Sequence, residues 1–237
     1  MENSNKLVVV TGGTKGIGKA ILKSFSSLGF SIATCSRNEE ELQQVKEELE
    51  ETYKNKVHVF KADLSLKSST EAFIEFVLMI GKQVEVLVNN AGKFIPGEIH
   101  QEEEGTLEDL INTNLYSAYR VTRGLVSRMK KEENGHIFNI CSTASIMAYN
   151  NGGSYCISKF ALYGMSKVLR EEMKPHGVKV TSVLPGATFT SSWEGVELPE
   201  TRFIRPEDVA EMIVSTYSLS DRCVVEDLVI RPQLGDL

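Results

Sequence analysis

A tyrosine and a lysine four residues apart, Tyr155 and Lys159, are the residues of this sequence with the clearest potential for chemistry. On a helix such residues share one face, with side-chain roots about 6 Å apart. A phenol ionises near pH 10, and a neighbouring ammonium lowers that pKa by stabilising the phenolate. The pair could therefore pass a proton to or from a carbonyl or alcohol. The spacing alone is weak evidence for a catalytic pair, because most tyrosines and lysines spaced in this way are solvated surface residues.

A glycine-rich turn near the N-terminus indicates a site for a phosphorylated ligand. An apolar strand ending at Val10 runs through Thr11–Gly18 into a helical pattern, the context that a dinucleotide site requires. Glycines let the backbone approach a pyrophosphate, which the amides of the helix N-terminus bind. The alternative is an ordinary strand-to-helix turn. The candidate coenzyme-binding residues here are Gly12, Thr14, Lys15, Gly16, Ile17 and Gly18.

Further motifs give the sequence a close resemblance to the short-chain dehydrogenase/reductase family. They occur in the family's order along essentially the whole chain. They are T-G-x-x-x-G-x-G at Thr11–Gly18, Asp63-Leu64, N-N-A-G at Asn89–Gly92, Asn114, Ser142, Y-x-x-x-K at Tyr155–Lys159 and P-G-x-x-x-T at Pro185–Thr190. The resemblance implies an oxidoreductase that uses a nicotinamide coenzyme.

The resemblance also implies a role for each site residue. Tyr155 would donate a proton to the substrate oxygen as hydride arrives, and Lys159 would lower its pKa and bind the nicotinamide ribose. Ser142 would hold the carbonyl oxygen, and Asn114 would anchor a proton-relay water, with nearby Asn112 as the less favoured choice. The further coenzyme-binding residues it implies are Ser36, Arg37, Asp63, Leu64, Asn90, Ala91, Gly92, Pro185, Gly186, Thr188 and Thr190.

The end of the second strand indicates which coenzyme is used. A carboxylate there binds the free ribose hydroxyls of NAD, whereas an arginine accommodates the 2′-phosphate of NADP. Here Ser36 and Arg37 end the strand, no acid occurs before Glu39, and Lys15 lies in the glycine turn. We therefore predict NADP(H). Asp63 would accept a hydrogen bond from adenine, or alternatively cap a helix start.

Composition narrows the function classes. The 237 residues carry a net charge of −6 with a pI of about 5.4, which argues against nucleic acid or an anionic membrane as partner. The four cysteines lack C-x-x-C spacing and the four histidines lack ligand spacing, so we predict reduced thiols and no metal site. The polar N-terminus favours a cytoplasmic protein without a signal peptide.

Strand and helix patterns alternate throughout, with continuously apolar strands, which predicts a parallel sheet covered on both faces. We expect an α/β fold, a single doubly wound Rossmann domain over 1–237 with a seven-stranded parallel sheet flanked by helices and a short substrate lobe at about 188–204. Among the expected elements are a helix over 106–131, a strand over 136–142, a helix over 154–175 and a strand over 224–230. The run of three acids Glu102–Glu104 is interpreted as a solvated loop face.

The substrate is the least constrained prediction. The segments after Pro185 and after Val224 look like those of sepiapterin-reductase-like members, which favours reduction of a small ketone or dicarbonyl, with Asp236 as a speculative anchor for a pterin. Glu133 and His176 stand where reductases of acyl-carrier-protein thioesters carry arginines, which argues against that acidic partner. The predicted pocket residues are Ser142, Ala144, Tyr149 and Trp193.

Three alternatives stay open: a 3-oxoacyl-[acyl-carrier-protein] reductase, an alcohol dehydrogenase of the same family, and a catalytically inactive nucleotide-binding regulator. The retained Tyr155 and Lys159 argue against the last. Apolar residues beyond one core-facing stripe on two helices predict a homotetramer or homodimer. These residues are Leu110, Leu115, Tyr116, Tyr119, Phe160, Leu162, Tyr163 and Met165.

Overall fold

Seven parallel strands form one central sheet in the computed structural model, which describes residues 3, 5–193 and 195–237. The strands are β1 (Lys6–Thr11), β2 (Ser31–Ser36), β3 (Val57–Lys61), β4 (Gln83–Asn89), β5 (Gly135–Ile140), β6 (Val178–Pro185) and β7 (Asp227–Ile230). Along β1, Val8 and Val10 pack into an apolar cluster on one face, and Leu7 and Val9 into a cluster on the other. Burial on both faces explains the continuous apolar runs and confirms the predicted sheet.

Helices cover both faces of the sheet. They are α1 (Gly16–Ser27), α2 (Glu39–Tyr53), α3 (Lys67–Met79), α4 (Thr106–Ile111), α5 (Ser117–Lys131), α6 (Gly153–Met173) and α7 (Pro206–Tyr217). Side chains of α1, α2 and α7 pack on one face, and those of α3, α5 and α6 on the other. No helix in the described ranges combines the length and hydrophobicity needed to cross a bilayer.

The strand order places the ligand crevice. The order is β3-β2-β1-β4-β5-β6-β7, so the connections run outward in opposite directions from β1 and β4. In open parallel sheets, ligands bind beyond the carboxyl ends of the strands at such a reversal. The glycine turn follows β1 and the N-N-A-G segment ends β4, so both meet at this crevice.

Several predicted elements differ from the structure, among them the helix expected over 154–175, which spans Gly153–Met173. The helix expected over 106–131 is interrupted by a π-helical turn, Asn112–Tyr116, and the last strand begins at Asp227 rather than at 224. The strand expected over 136–142 ends at Ile140. Ser142 therefore lies beyond the sheet, where its side chain caps a 3-10 turn formed by Thr143–Ser145.

The segment between β6 and α7 forms a small lobe beside the crevice. Its described residues include the 3-10 turns Ser191–Trp193 and Glu200–Arg202. Its base is closed because the Phe189 amide donates to the Ile204 carbonyl at 2.8 Å, and the Ile204 amide donates to the Ala187 carbonyl at 2.9 Å. The lobe thus rests on the end of β6, next to the coenzyme-binding residues predicted there.

Candidate active site

The loops that follow β1 and β4 are fastened to each other by hydrogen bonds. The Thr11 hydroxyl accepts from the backbone amides of Asn90 and Ala91, at 3.0 and 2.9 Å. The Asn90 side-chain amide donates in return to the carbonyls of Thr11 and Gly12, both at 2.9 Å. Asn90 therefore fixes the shape of the crevice as well as lining it.

The glycine turn fits a coenzyme pyrophosphate. Gly12 has a φ of +69°, and a Cβ there would lie 3.2 Å from the Ala91 Cα. A Cβ on Gly18 would lie 2.3 Å from the Gly12 carbonyl oxygen, so only glycine allows this packing. Within the described structure, α1 begins without a side-chain cap and without an acid in its first turn. The first residues of α1 line the crevice, so its uncapped amides are available to bind an anion there.

The residues predicted for the adenosine ribose gather at the ends of β1 and β2. The Thr14 hydroxyl donates to the Ser36 hydroxyl at 3.3 Å, and Arg37 is exposed beside them. Lys15 forms an ion pair with Glu41, with 2.9 Å between Nζ and Oε1. The sequence analysis missed Glu41, although its place three residues after the N-cap Asn38 is the pattern of a capping box.

Asp63 and Leu64 are held by local structure. One oxygen of the Asp63 carboxylate accepts from the Ser65 amide and hydroxyl, at 3.0 and 2.7 Å. Burial raises the pKa of this carboxyl, but the bonds from Ser65 and the charge of Arg37 bring it below its usual value. The alternative of a helix-start cap is not what the structure shows: among the described residues α3 begins after Leu66 without a side-chain cap, and the Asp63 carboxylate instead closes a local turn at Ser65. The Leu64 side chain is buried in the core, so its predicted coenzyme contact would come from its backbone.

Tyr155, Ser142 and Lys159 meet at the wall of one cleft. Burial raises the pKa of the Tyr155 phenol to about 12, and its hydrogen bond with Ser142 opposes that rise. Burial lowers the pKa of Lys159 to about 8. Lys159 Nζ lies 5.9 Å from the Tyr155 ring centroid and donates to the Ile140 carbonyl at 2.9 Å. Tyr155 is thus a protonated acid at neutral pH, and the hydrogen bond that lowers its pKa comes from Ser142.

Asn114 is a bridging residue in the interior. It is 1 % exposed, and its side-chain oxygen accepts from the Lys93 amide at 2.8 Å. Its amide nitrogen donates to the Lys93 carbonyl at 3.0 Å and to the Ser158 hydroxyl at 2.9 Å. Asn114 therefore joins the π-helical turn to the segment after β4 and to α6. Asn112 is less buried, which agrees with the preference for Asn114.

The cleft has a volume of about 410 Å³. Predicted residues that line it are Gly12, Lys15, Gly16, Ile17, Gly18, Asn90, Ala91, Gly92, Ser142, Tyr149, Tyr155, Lys159, Pro185, Gly186, Thr188, Thr190 and Trp193. Ala144 does not line it: this residue is 1 % exposed and its amide donates to the Ser142 hydroxyl. The prediction of Ala144 as a pocket residue is wrong, because the 3-10 turn directs it into the core.

The sequence analysis missed Phe94 and Leu237 in the cleft wall, and it named Asp236 only as a speculative anchor for a pterin. The Phe94 ring stands edge-on to the Tyr155 ring, with 4.8 Å between centroids, and shields one side of the phenol. Asp236 and Leu237 also line the cleft, and Asp236 pairs with Arg231 at 2.8 Å. A phenylalanine after a strand carries no sequence signal for such a role.

Glu102 holds the start of α6, the helix that carries Tyr155. Its carboxylate accepts from the Ser154 amide at 2.8 Å and from the Ser154 hydroxyl. A Cβ on Gly153 would lie 2.2 Å from this carboxylate, so the glycine makes room for it. Gly152, at the N-cap, has no side chain to cap the helix, and Glu102 does so instead. The interpretation of this residue as part of a solvated face is therefore wrong.

Replacing Lys159 by Met is expected to stabilise the fold at pH 7. The folded-state pKa of about 8 lies below the ordinary 10.5, so the folded chain binds this proton more weakly than the unfolded chain. The resulting cost is complete below pH 8 and is relieved as the pH rises to 10.5. The variant should gain at most about 3 kcal/mol in free energy of unfolding at pH 7, and less at pH 10.

Urea unfolding at both pH values measures this gain. Lys131→Met, at an exposed position, is the matched control and should change neither value appreciably. A stability difference for Lys159→Met that stays the same at pH 7 and pH 10 would contradict the expectation.

Known proteins are similar to this chain over nearly its full length. A sepiapterin reductase from Chlorobaculum tepidum is 29 % identical over 239 residues, which cover 98 % of each chain. A metagenomic short-chain oxidoreductase solved in complex with NADP superimposes with a TM-score of 0.85 at 29 % identity, covering 99 % of this chain and 100 % of the other.

An alcohol dehydrogenase from Thermococcus sibiricus, complexed with 5-hydroxy-NADP, superimposes with a TM-score of 0.91 at 25 % identity and covers 98 % of both chains. The family model described as short chain dehydrogenase matches residues 6–200. The order of the motifs along the chain and this family match agree: the chain belongs to the short chain dehydrogenase family of oxidoreductases.

Proposed function

We propose that this chain is an NADPH-dependent carbonyl reductase that acts on a small ketone or dicarbonyl. The observation that carries the proposal is that Tyr155, Ser142 and Lys159 meet at the wall of one cleft, with Lys159 Nζ 5.9 Å from the Tyr155 ring centroid. A phenol placed beside a hydroxyl and an ammonium can donate its proton to a carbonyl oxygen. The bound coenzyme would supply the hydride.

The residues of the chain account for the rest of the reaction. The Ser142 hydroxyl donates to the carbonyl oxygen and stabilises the negative charge that develops there. Tyr155 then gives its proton to the same oxygen. The Lys159 ammonium, buried behind it, stabilises the phenolate that remains until a proton returns. Asn114 positions α6 relative to the segment that follows β4, because its side-chain amide donates to both.

The coenzyme proposal rests on charge at the adenosine end. Arg37 and Lys15 are the cations next to Ser36 and Thr14, and a 2′-phosphate would accept from all four. Solved relatives of this chain contain NADP or NADPH, in agreement with the predicted NADP(H).

The cleft walls support a flat, partly aromatic substrate. Phe94, Tyr149 and Trp193 line the cleft, and Trp193 also packs edge-on against Phe203 with ring centroids 5.2 Å apart. A pterin-like ring system would stack well on such walls. Asp236 lines the same cleft, and its carboxylate can accept hydrogen bonds from an amino-substituted ring. Similarity to a sepiapterin reductase supports this branch of the proposal.

The sequence places Glu133 and His176 where reductases of acyl-carrier-protein thioesters carry arginines at the site entrance, which argues against that substrate. In the single chain these residues are far from the cleft, so that argument does not apply to it. Glu133 precedes β5 and His176 precedes β6, so both lie at the amino ends of these parallel strands, whereas the cleft lies beyond their carboxyl ends. The acids Glu132, Glu171 and Glu172 lie in the same two helix ends. A 3-oxoacyl-[acyl-carrier-protein] reductase or an alcohol dehydrogenase therefore stands as the alternative activity.

A substrate panel separates these possibilities. NADPH oxidation is followed with sepiapterin, diacetyl, a cyclic ketone and acetoacetyl-CoA side by side. We expect the first two to give the highest kcat/KM. A hundredfold advantage for acetoacetyl-CoA would replace the proposal by the thioester activity, and no turnover with any carbonyl would favour a nucleotide-binding regulator.

Tyr155→Phe is expected to abolish reduction while NADPH binding stays nearly intact. The phenol supplies the proton, whereas the glycine turn holds the pyrophosphate at a separate place. We expect a rate below about one part in a hundred of the wild type, in the range that loss of a general acid produces. NADPH oxidation measures turnover and fluorescence titration measures binding; turnover above that level would refute the role.

Glu102→Ala is expected to lower kcat about tenfold with little change in the KM for NADPH, because it releases the start of α6 near Tyr155 and leaves the glycine turn untouched. Glu102→Gln keeps an acceptor for the Ser154 amide and should restore most of kcat. Glu103→Ala, in the exposed part of the same loop, is the control. A KM that rises in parallel with the loss of kcat would show a general loss of structure instead.

We also propose that the chain forms a homotetramer or homodimer in the cytoplasm. Tyr116, Tyr119 and Phe160 are each more than 40 % exposed, and they lie on the π-helical turn, α5 and α6, three elements that pack against one another. Leu110 and Leu162, counted with them from the sequence, are instead buried in the core. The four cysteines are free thiols, which suits a reducing compartment.

Light scattering tests the assembly. We expect a mass of at least twice 26.3 kDa at micromolar concentration, because three large exposed aromatic side chains on adjoining elements favour association. Tyr116→Glu combined with Phe160→Glu should shift the mass toward one chain. A single-chain mass for the wild type would refute the assembly.

A further inference from the structure

Glu41 places a negative charge at the proposed phosphate site. Its carboxylate accepts from Lys15 Nζ at 2.9 Å and from the Asn38 side chain at 3.1 Å. The hydrogen bond from Lys15 is the main reason that the pKa of Glu41 lies below its usual value, and Thr14 adds to it. Two residues counted as phosphate ligands, Lys15 and Thr14, are therefore already engaged by an acid of this chain.

A 2′-phosphate brought to this place meets that acid directly. To bind Lys15, the phosphate has to share or displace the Glu41 carboxylate, and the two anions repel each other. NADH carries no such phosphate, so this cost falls on NADPH alone. Arg37 and Ser36 are left to provide the attraction that Glu41 does not offset.

We propose that Glu41 is a specificity-determining residue that weakens binding of the 2′-phosphorylated coenzyme. It competes with the phosphate for Lys15 and thereby reduces the preference for NADPH over NADH. The inference rests on the proposed NADPH site and adds one residue, Glu41, that opposes binding of the 2′-phosphate there.

Glu41→Gln isolates the charge from the fold. Glutamine at the third helical position still serves in a capping box, so α2 keeps its start at Asn38. Glu40→Gln is the matched control: it removes an equal charge from the neighbouring position, where the side chain is exposed and its amide, like that of Glu41, donates to Asn38.

Binding of two coenzyme fragments measures the effect without any chemistry. Adenosine 2′,5′-bisphosphate and AMP differ only in the 2′-phosphate, and calorimetry gives a Kd for each. We expect Glu41→Gln to tighten the bisphosphate about fivefold to tenfold and AMP by less than about twofold. Glu40→Gln should change either value by less than about twofold. High salt should reduce the difference, since it screens exposed charges.

The outcomes separate the inference from the proposed coenzyme. A wild-type chain that binds the bisphosphate no better than AMP, and an Arg37→Asp variant that binds it equally well, would overturn the coenzyme site and the inference with it. A wild-type chain that prefers the bisphosphate, with Glu41→Gln unchanged or weaker, would overturn the inference alone. Equal tightening by Glu40→Gln would also overturn it, since it would show a general charge effect.

Discussion

The site depends first on the contact between the loops that follow β1 and β4. Four hydrogen bonds join Thr11 and Gly12 to Asn90 and Ala91. Gly18 packs against both loops, because a Cβ there would lie 2.3 Å from the Gly12 carbonyl oxygen and 2.5 Å from Asn90 Nδ2. Because the sheet order reverses between these two strands, the same contact sets the width of the crevice, which most of the residues predicted for the coenzyme and for catalysis line.

The segment that follows β4 makes a second set of contacts, with the elements that carry the predicted catalytic residues. Lys93 is bonded through its backbone to Asn114, Phe94 packs on the Tyr155 ring, and Glu102 caps the helix that begins two residues before Tyr155. One short segment thus contacts the π-helical turn and α6 in succession. The position of the phenol is determined by neighbours from three parts of the chain rather than by its own helix alone.

Much of this arrangement is readable from the sequence because it depends on local patterns. Apolar runs identify the strands, glycines identify the turn where the backbone must come close to a ligand, and the spacing of Tyr155 and Lys159 predicts a shared helix face. The predicted seven-stranded parallel sheet and family are confirmed. The roles of individual site residues stay predictions.

What the sequence does not reveal depends on long-range contacts or on a local change in helix geometry. Glu102 caps a helix 52 positions away, so three consecutive acids look like a solvated loop. The π-helical turn, which carries the buried Asn114, changes the helix repeat without a distinctive residue. Ala144 follows Ser142 closely, yet a 3-10 turn separates their directions. In each case the deciding partner is distant or the backbone departs from the regular repeat.

The position of the last residues has a practical consequence for anyone who produces this protein. Leu237 lines the cleft, and the preceding turn is held there by the ion pair between Arg231 and Asp236. Any residues that follow Leu237, including an affinity tag, would start at the wall of the cleft. A tag at the other end, before the strand that starts at Lys6, avoids this region, so kinetic constants should be compared between the two fusion formats before a substrate is assigned.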